Sequence, residues 1–313
     1  MVPALILDTM ARTQKRRARY SAAVAGWLLL FSAICQGQIS LVERALNQAL
    51  QQTTAIAVVL DVQTGHLLAS AQSREAATLR SAPGSVLKPF FLAEALESQQ
   101  IQPQSTVLCQ RTLTIAGRNV SCTHPQNEAA FDAEQALAYS CNRYFAELAK
   151  RLSPEQTTAT LRRYGLTEEP HIFTSETSAT LQTPMTLEQR ELFVLGLEGI
   201  KITPAELAVA YRKLALRLEV LPTDSPIHAV SRGLEDSVQY GMAHNAQLLG
   251  LSIAGKTGTA SNLGQSWTHG WFAGFAPVKS PKIVVVIYLP RGNGADAALL
   301  AQKFFIAYKD MPR

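Results

Sequence analysis

A serine and a lysine three residues apart are the first pair in this 313-residue chain that could do chemistry. Pro83 and Gly84 predict a turn, and Ser85 follows at the start of an apolar helical pattern, with Lys88 one turn further on the same face. Free N–H groups and a partial positive charge at a helix start stabilise an oxyanion. A desolvated lysine can lose its proton and activate a serine hydroxyl. The pair therefore predicts a serine nucleophile with a lysine base, although a serine helix cap has the same local pattern.

Two further short motifs place polar side chains in apolar surroundings. Ser140 and Asn142 flank Cys141 where another helical pattern begins, and by itself this arrangement is typical of a serine helix cap. The segment 256–259, Lys-Thr-Gly-Thr, lies in a predicted strand that is otherwise apolar. A cation with two hydroxyls on an open strand edge could hold a carboxylate, whereas a lysine that only blocks edge pairing is the alternative.

Strand patterns lie at both ends of the chain and helical patterns lie between them. The clearest helix begins at Thr203, where Pro204 and Glu206 complete a capping box. Short connections make the last three strands antiparallel. The sequence predicts an α+β fold, in which one antiparallel sheet flanked by helices stands beside an all-helical lobe, with the site in the cleft between them. The predicted strands are 55–61, 66–71, 252–259, 268–275 and 282–289, and the predicted helices are 38–53, 86–98, 141–152, 154–164, 203–217, 231–246 and 296–308.

The three motifs occur in the order Ser-x-x-Lys, Ser-x-Asn and Lys-Thr-Gly, with their first residues 55 and 116 positions apart. This set resembles that of the penicillin-binding transpeptidases and serine β-lactamases. The resemblance runs from about residue 53 to the end, through segments 55–70, 84–89, 202–211, 254–260 and 270–277. It implies a β-lactamase/transpeptidase-like fold over residues 38–313. It also implies a D,D-transpeptidase or D,D-carboxypeptidase that acts on the D-Ala-D-Ala stem peptides of peptidoglycan and binds β-lactams such as penicillin.

The resemblance also implies a role for each motif residue. Ser85 attacks the carbonyl between the last two D-alanines, and Lys88 accepts the serine proton. Ser140 and Lys256 relay a proton to the leaving group, and Asn142 binds the substrate amide. The implied substrate-binding residues of the third motif are Thr257, Gly258 and Thr259. Their two hydroxyls hold the terminal carboxylate, and the backbone N–H groups of Ser85 and Thr259 form the oxyanion hole. No cofactor and no metal is expected.

Two alternatives share these motifs. A serine β-lactamase of one class needs a loop glutamate, and segment 165–174 holds Glu168 and Glu169 without the Glu-x-x-Leu-Asn signature of that class. Another class has valine where Asn142 stands, so slow deacylation is expected here. The second alternative is a non-turnover β-lactam sensor or scaffold, against which the intact motifs argue. Transpeptidation, carboxypeptidation and endopeptidation remain undivided, because the acceptor subsite lies outside the motifs.

Residues 1–37 account for most of the basic charge. Five cations and one acid give this segment a net charge of +4 out of +5, so the rest of the chain is nearly neutral and offers no footprint for nucleic acid. A basic stretch before the apolar run 22–35 predicts a signal peptide or a retained membrane anchor. The protein is expected to be periplasmic or on the outer face of the cytoplasmic membrane. Only about 15–20 residues separate this leader from the first strand, too few for the additional domains of larger family members.

The cysteines leave three states open. Cys109 and Cys122 flank a β-rich segment, which suits a hairpin disulfide in an oxidising compartment. With His124 they form three of the four ligands that a zinc site needs, and the sequence does not indicate the fourth. Two free thiols are equally compatible with this spacing. Cys141 is interpreted as packing filler within the middle motif.

Overall fold

The computed structural model describes residues 41–125, 129–262 and 264–311, so the predicted leader over 1–37 lies outside it. Within these ranges no helix is both long and apolar enough to span a bilayer. The strands are β1 (Ile56–Asp61), β2 (Leu67–Ala71), β3 (Val107–Cys109), β4 (Thr114–Ile115), β5 (Arg118–Asn119), β6 (Ala129–Phe131), β7 (Thr180–Leu181), β8 (Ile200–Lys201), β9 (Ala254–Ala260), β10 (His269–Ala276) and β11 (Ile283–Leu289). The helices are α1 (41–49), α2 (Ser73–Thr78), α3 (Lys88–Glu97), α4 (Ala133–Ala138), α5 (Asn142–Ala149), α6 (Pro154–Arg163), α7 (Leu187–Val194), α8 (Pro204–Val220), α9 (His228–Gln239) and α10 (Gly294–Lys309).

The two ends of the chain meet in one five-stranded antiparallel sheet, as predicted. Its strand order is β2-β1-β11-β10-β9, so the last strand in sequence pairs with the first. Side chains alternate along each strand between two cores. Val58 and Val286, which are paired, face one core, and the neighbouring pair Val59 and Val285 faces the other. The sheet that β1 and β11 complete is therefore buried on both faces.

Helices cover both faces of this sheet and form a separate lobe. The apolar residues of α1 and α10 pack on one face, and α8 packs on the other. The lobe contains α3 to α7 and α9, and the sheet edge formed by β9 lies beside it through contacts with α9. The α+β fold with a flanked sheet and a helical lobe is thereby confirmed.

Several local predictions need correction. The helix predicted over 86–98 begins at Lys88 and follows a 3-10 turn, Gly84–Leu87. The helix predicted over 231–246 is shorter, because α9 ends at Gln239 and only a 3-10 turn follows at His244–Ala246. The short helices α2, α4 and α7 and the strand pairs β3–β6 and β7–β8 are absent from the sequence prediction, since so few residues give no clear period. The pair β4–β5 lies in the β-rich segment between Cys109 and Cys122 that suited a hairpin. The capping box at Thr203 is confirmed by hydrogen bonds in both directions with Glu206.

Close backbone packing fixes the 3-10 turn that precedes α3. The Gly84 N–H donates to the carbonyl of Gly196 over 2.9 Å, and both glycines have positive φ. A Cβ built on Gly196 would overlap the carbonyl oxygen of Gly84. Only glycine fits here, because any side chain would push two backbones apart. This contact joins the loop after α7 to the turn before α3.

Replacing Gly196 by alanine is expected to destabilise the fold more than the same change at Gly117. Both glycines have positive φ, but a Cβ on Gly117 meets no atom within 4 Å. Gly117→Ala should therefore lose only about 1 kcal/mol of unfolding free energy, the cost of the left-handed backbone. Gly196→Ala should lose a further 1–3 kcal/mol or so through overpacking. Urea unfolding with matched m-values measures both losses. Equal losses would show that the backbone contact is not tight.

Candidate active site

Ser85 lies in a turn that the edge of the sheet holds in place. The turn is half-buried at Ser85 and fully buried on both sides of it. Two β10 side chains donate to the Ala82 carbonyl, Trp271 through Nε1 over 3.0 Å and His269 through Nε2 over 2.7 Å. A carbonyl oxygen has two lone pairs, so it can accept from both side chains. Because this oxygen only accepts, His269 must carry its proton on Nε2. The chain segment that leads into Ser85 is thus fixed to the sheet.

A second set of contacts fixes the other side of the same turn. The buried hydroxyl of Tyr211, on α8, donates to the Val86 carbonyl over 3.0 Å. Sequence reasoning did not select Tyr211, Trp271 or His269 as site residues. Tyr211 and Trp271 lie in segments that carry the family resemblance, and that was the available signal. Rigid support of this kind holds a reactive side chain to its working geometry.

Lys88 is fully buried, and oxygen atoms surround its amino group. Nζ donates to Ser140 O at 2.8 Å, to Ser140 Oγ at 3.2 Å and to Asn142 Oδ1 at 2.6 Å. Three acceptors match the three N–H groups of an ammonium ion. The ring of Phe145 lies 5.1 Å from Nζ and also favours the charged form. The resting arrangement is therefore that of a protonated lysine.

Burial opposes this charge. Desolvation lowers the pKa of Lys88 to about 8, against a smaller raising effect from Cys122 and Cys141. A minority of molecules at neutral pH consequently holds the free amine, which is the form that accepts a proton. Burial also lowers the pKa of Lys256 well below its usual range, and the charge of Lys88 lowers it further. The charge of Lys88 thus disfavours a second charge on Lys256.

The middle motif supplies the acceptors through an unusual backbone. Ser140 has a φ of +55°, in the left-handed region, within the tight turn between α4 and α5. Cys141, and not Ser140, occupies the cap position of α5, so the simple cap interpretation does not hold. Asn142 uses both ends of its amide inside the protein, since Nδ2 also donates to Val120 O over 2.8 Å. Strain of this kind is typical of functional sites.

The third motif runs along the open edge of the sheet and touches the Ser85 turn. A Cβ on Gly258 would lie 2.6 Å from Pro83 O, and a Cβ on Gly84 would lie 3.0 Å from Thr259 O. Glycine at both positions allows two backbones to approach closely. The edge strand β9 and the serine turn are therefore adjacent, as the predicted cleft requires.

The polar groups of β9 have distinct partners. Lys256 Nζ donates to Thr257 O over 3.2 Å, and Thr257 Oγ1 donates to Met242 O over 3.3 Å. The exposed Thr259 accepts from the Gly294 N–H over 2.9 Å, which leaves its hydroxyl hydrogen to donate elsewhere. Gly294 is the first residue of α10, whose N-terminus carries partial positive charge. This end of β9 is thus suited to an anionic group.

The predicted motifs therefore meet in one place. Lys88 of the first motif bonds Ser140 and Asn142 of the second, and the first also contacts Gly258 and Thr259 of the third. Half-buried Ser85 stands where these three segments converge.

Known proteins are similar to this chain in sequence. The family model of the penicillin binding protein transpeptidase domain matches residues 55–308. The probable peptidoglycan D,D-transpeptidase PenA of Neisseria flavescens is 27% identical over 83% of this chain and 76% of its own length. The peptidoglycan D,D-transpeptidase FtsI of Buchnera aphidicola is 24% identical over 81% of this chain, which spans about half (52%) of that relative.

Solved structures show the same fold. The transpeptidase domain of penicillin-binding protein 3 from Burkholderia pseudomallei superposes with a TM-score of 0.77 at 21% identity, over 87% of this chain and 97% of that one. The D,D-transpeptidase domain of a peptidoglycan glycosyltransferase from Eggerthella lenta gives a TM-score of 0.73 at 22% identity, over 86% and 81%. Since the family model spans most of the chain and the three motifs converge in the structure, the chain belongs to the penicillin-binding protein transpeptidase family.

Proposed function

We propose that this protein is a serine-type D,D-transpeptidase or D,D-carboxypeptidase that forms an acyl-Ser85 intermediate with a peptidoglycan stem peptide. The observation that carries this proposal is the buried amino group of Lys88, one 3-10 turn after Ser85 and bonded to Ser140 and Asn142. In a 3-10 turn residues i and i+3 lie on the same face, which suits transfer of a proton from serine to lysine. Relatives named as peptidoglycan D,D-transpeptidases support the substrate class.

In the acylation step, the free amine of Lys88 takes the Ser85 proton as Oγ attacks the carbonyl carbon between the two D-alanines. The carbonyl electron pair moves to oxygen, where the backbone N–H groups of Ser85 and Thr259 stabilise the charge. The oxyanion then collapses and the C–N bond breaks. The leaving D-alanine amine receives a proton relayed from Lys88 through Ser140, with Lys256 completing the path. The products are the acyl-serine and free D-alanine.

Recognition of the terminal carboxylate falls first to Thr259 of β9, because the buried Thr257 hydroxyl already donates to Met242 O. The Thr259 hydroxyl hydrogen can donate to this carboxylate, because Thr259 Oγ1 only accepts from the Gly294 N–H inside the protein. Burial and the charge of Lys88 lower the pKa of Lys256 well below its usual range, which favours release of its proton and suits a role in the proton relay. Thr257 and Gly258 complete this substrate-binding edge. The role of Asn142 in binding the substrate amide stays a prediction. Its hydrogen bond with Lys88 gives Asn142 a second role, which is to hold the lysine in place.

The acyl-enzyme passes to an amine acceptor, which forms a cross-link, or to water, which completes carboxypeptidation. A β-lactam would mimic D-Ala-D-Ala and stop at the acyl stage. Glu168 and Glu169, the carboxylates considered for a β-lactamase, are both exposed. The leader over 1–37 would place this reaction in the periplasm or at the outer face of the cytoplasmic membrane, where stem peptides are accessible.

Labelling with a fluorescent penicillin tests the acyl-serine directly. The wild-type chain should give a stable band on a denaturing gel over an hour, and Ser85→Ala should give none. Ser98→Ala is the matched control, because this serine is exposed at the far end of α3 and bonds only the Glu94 carbonyl. A band that fades within minutes would indicate a β-lactamase. No band from folded wild type would leave only a non-catalytic scaffold.

The rate of penicillin acylation should rise with pH through about 8. The base is the neutral amine of Lys88, whose fraction grows as the pH passes its lowered pKa, and the rate should level off above that value. Stopped-flow labelling from pH 6 to 10, with circular dichroism as a check on folding, measures this profile. Lys88→Gln should lower the acylation rate by about 10² to 10⁴-fold. The remaining rate should no longer rise as the pH passes 8. A flat wild-type profile would contradict a lysine base.

A pentapeptide ending in D-Ala-D-Ala should lose one D-alanine in the presence of the wild-type chain and none with Ser85→Ala. Mass spectrometry of the products, with and without an added amine acceptor, separates the two activities. A cross-linked product indicates transpeptidation, and hydrolysis alone indicates carboxypeptidation. Stable penicillin labelling without either product would instead favour a sensor.

A further inference from the structure

Four chemically soft side chains converge in the interior behind the middle motif. Their ligand atoms all lie within 4.8 Å of one another, and all four residues are buried. Cys109 ends β3, and Cys122 and His124 follow the β4–β5 hairpin. Cys141 comes from the turn between α4 and α5, inside the Ser-x-Asn motif. Residues that are distant in sequence thus share one small volume.

The spacing of these atoms matches a tetrahedral centre. Cys109 Sγ lies 3.5 Å from Cys122 Sγ, and Cys122 Sγ lies 3.8 Å from Cys141 Sγ. His124 Nε2 lies 3.3 Å from Cys109 Sγ. With zinc–sulfur bonds of about 2.3 Å, two ligands of a tetrahedral site stand about 3.8 Å apart. The cluster therefore leaves room for one ion of this size at its centre.

His124 has no other evident reason to be buried. Its side chain is fully inaccessible, Nε2 faces the Cys109 sulfur, and Nδ1 has no hydrogen-bond partner among the described residues. Phe131 packs edge-on against its ring. An imidazole in such surroundings loses hydration without full compensation. A metal ion bound at Nε2 would compensate the ring for part of this lost hydration, in place of a weak contact between Nε2 and the Cys109 sulfur.

Backbone donors point at the sulfur atoms. The Asn142 N–H lies 3.1 Å from Cys122 Sγ, and the Arg111 N–H lies 3.4 Å from Cys109 Sγ. Hydrogen bonds of this kind favour sulfur in its thiolate form and orient it, as outer-shell groups do around metal centres. Each of the two sulfurs therefore has a donor in place from the surrounding backbone.

We propose that Cys109, Cys122, His124 and Cys141 bind one structural Zn²⁺ ion. Three thiolates and one imidazole are the donor set of a structural zinc site, and four protein ligands leave no open position for a substrate. On binding, the three thiols release their protons to solvent and the ion takes the four ligand bonds. The expectation that no metal is bound is revised here, because it rested on the absence of a fourth ligand. Cys141, interpreted as packing filler, is that ligand.

The position of the ion indicates what it would stabilise. The ion would join segment 109–124, which contains the β4–β5 hairpin, to the turn between α4 and α5 that carries the middle motif. Asn142 already forms two hydrogen bonds with segment 109–124: its backbone N–H donates to Cys122 Sγ, and its Nδ2 donates to Val120 O. The ion would thus hold Ser140 and Asn142 in the positions from which they bind Lys88. This consequence for activity rests on the proposed function, whereas metal binding does not.

Metal content of the purified full-length chain is the direct test. Wild type should hold one zinc per chain by elemental analysis, and Cys109→Ser, Cys122→Ser and His124→Gln should lose it. His66→Gln is the matched control, because this histidine is exposed on the hairpin between β1 and β2. Cobalt substituted into wild type should give sulfur-to-metal charge-transfer absorption and strong tetrahedral visible bands. This spectrum needs no variant, so it remains informative if a variant fails to fold.

Thiol titration of the denatured protein, with and without reductant, addresses the competing state. Zinc binding predicts that Cys109, Cys122 and Cys141 all titrate as thiols once a chelator is present. A disulfide among them in the unreduced native protein, or wild type that takes up neither zinc nor cobalt, would overturn the proposal. Chelation of wild type should lower the melting temperature and slow penicillin labelling. If the ion is bound but labelling never occurs, the zinc site stands and the proposed enzymatic function fails.

Discussion

The burial of one amino group is the constraint on which the rest of this site depends. Lys88 has no exposed surface, and three oxygen atoms of the middle motif surround its Nζ. Desolvation favours the free amine, while the three acceptors and the Phe145 ring favour the ammonium. Burial lowers the pKa of Lys88 to about 8, and the nearby Cys122 and Cys141 oppose this to a smaller extent. A lysine poised in this way holds its proton at rest and exchanges it during a reaction, so any change that admits water or removes an acceptor shifts the balance.

The surroundings of Ser85 are built from backbone more than from side chains. The turn before α3 contacts Gly196 on one side and the β9 edge at Gly258 on the other, and glycine allows both approaches. Side chains from β10 and α8 then occupy the carbonyls of Ala82 and Val86. The sheet and the helical lobe thereby hold the serine between them. This arrangement explains why two late strands, β9 and β10, and a helix from the middle of the chain are all needed for one turn.

A bound zinc ion would hold the middle motif in place, as the backbone contacts hold the Ser85 turn. Ser140 adopts a left-handed backbone conformation, which is costly unless the neighbouring structure enforces it. The adjacent Cys141 is buried among two further thiols and an imidazole, so an ion at their centre would pin the residue between Ser140 and Asn142. Positioning of Lys88 would then depend on a metal that takes no part in the chemistry.

Sequence patterns were sufficient to predict the α+β fold and a serine nucleophile with a lysine base. Motif order predicted Ser85 as the nucleophile and Lys88 as its base. The turn before α3, the capping box at Thr203 and the alternating strands were predictable, because they depend on neighbouring residues in the sequence. The contacts between distant groups became visible only in the folded chain. Tyr211 and His269 support the serine turn, and Cys141 joins Cys109 and His124, through contacts between segments far apart in the chain. No local periodicity records such contacts, because they arise from packing of the sheet against the lobe.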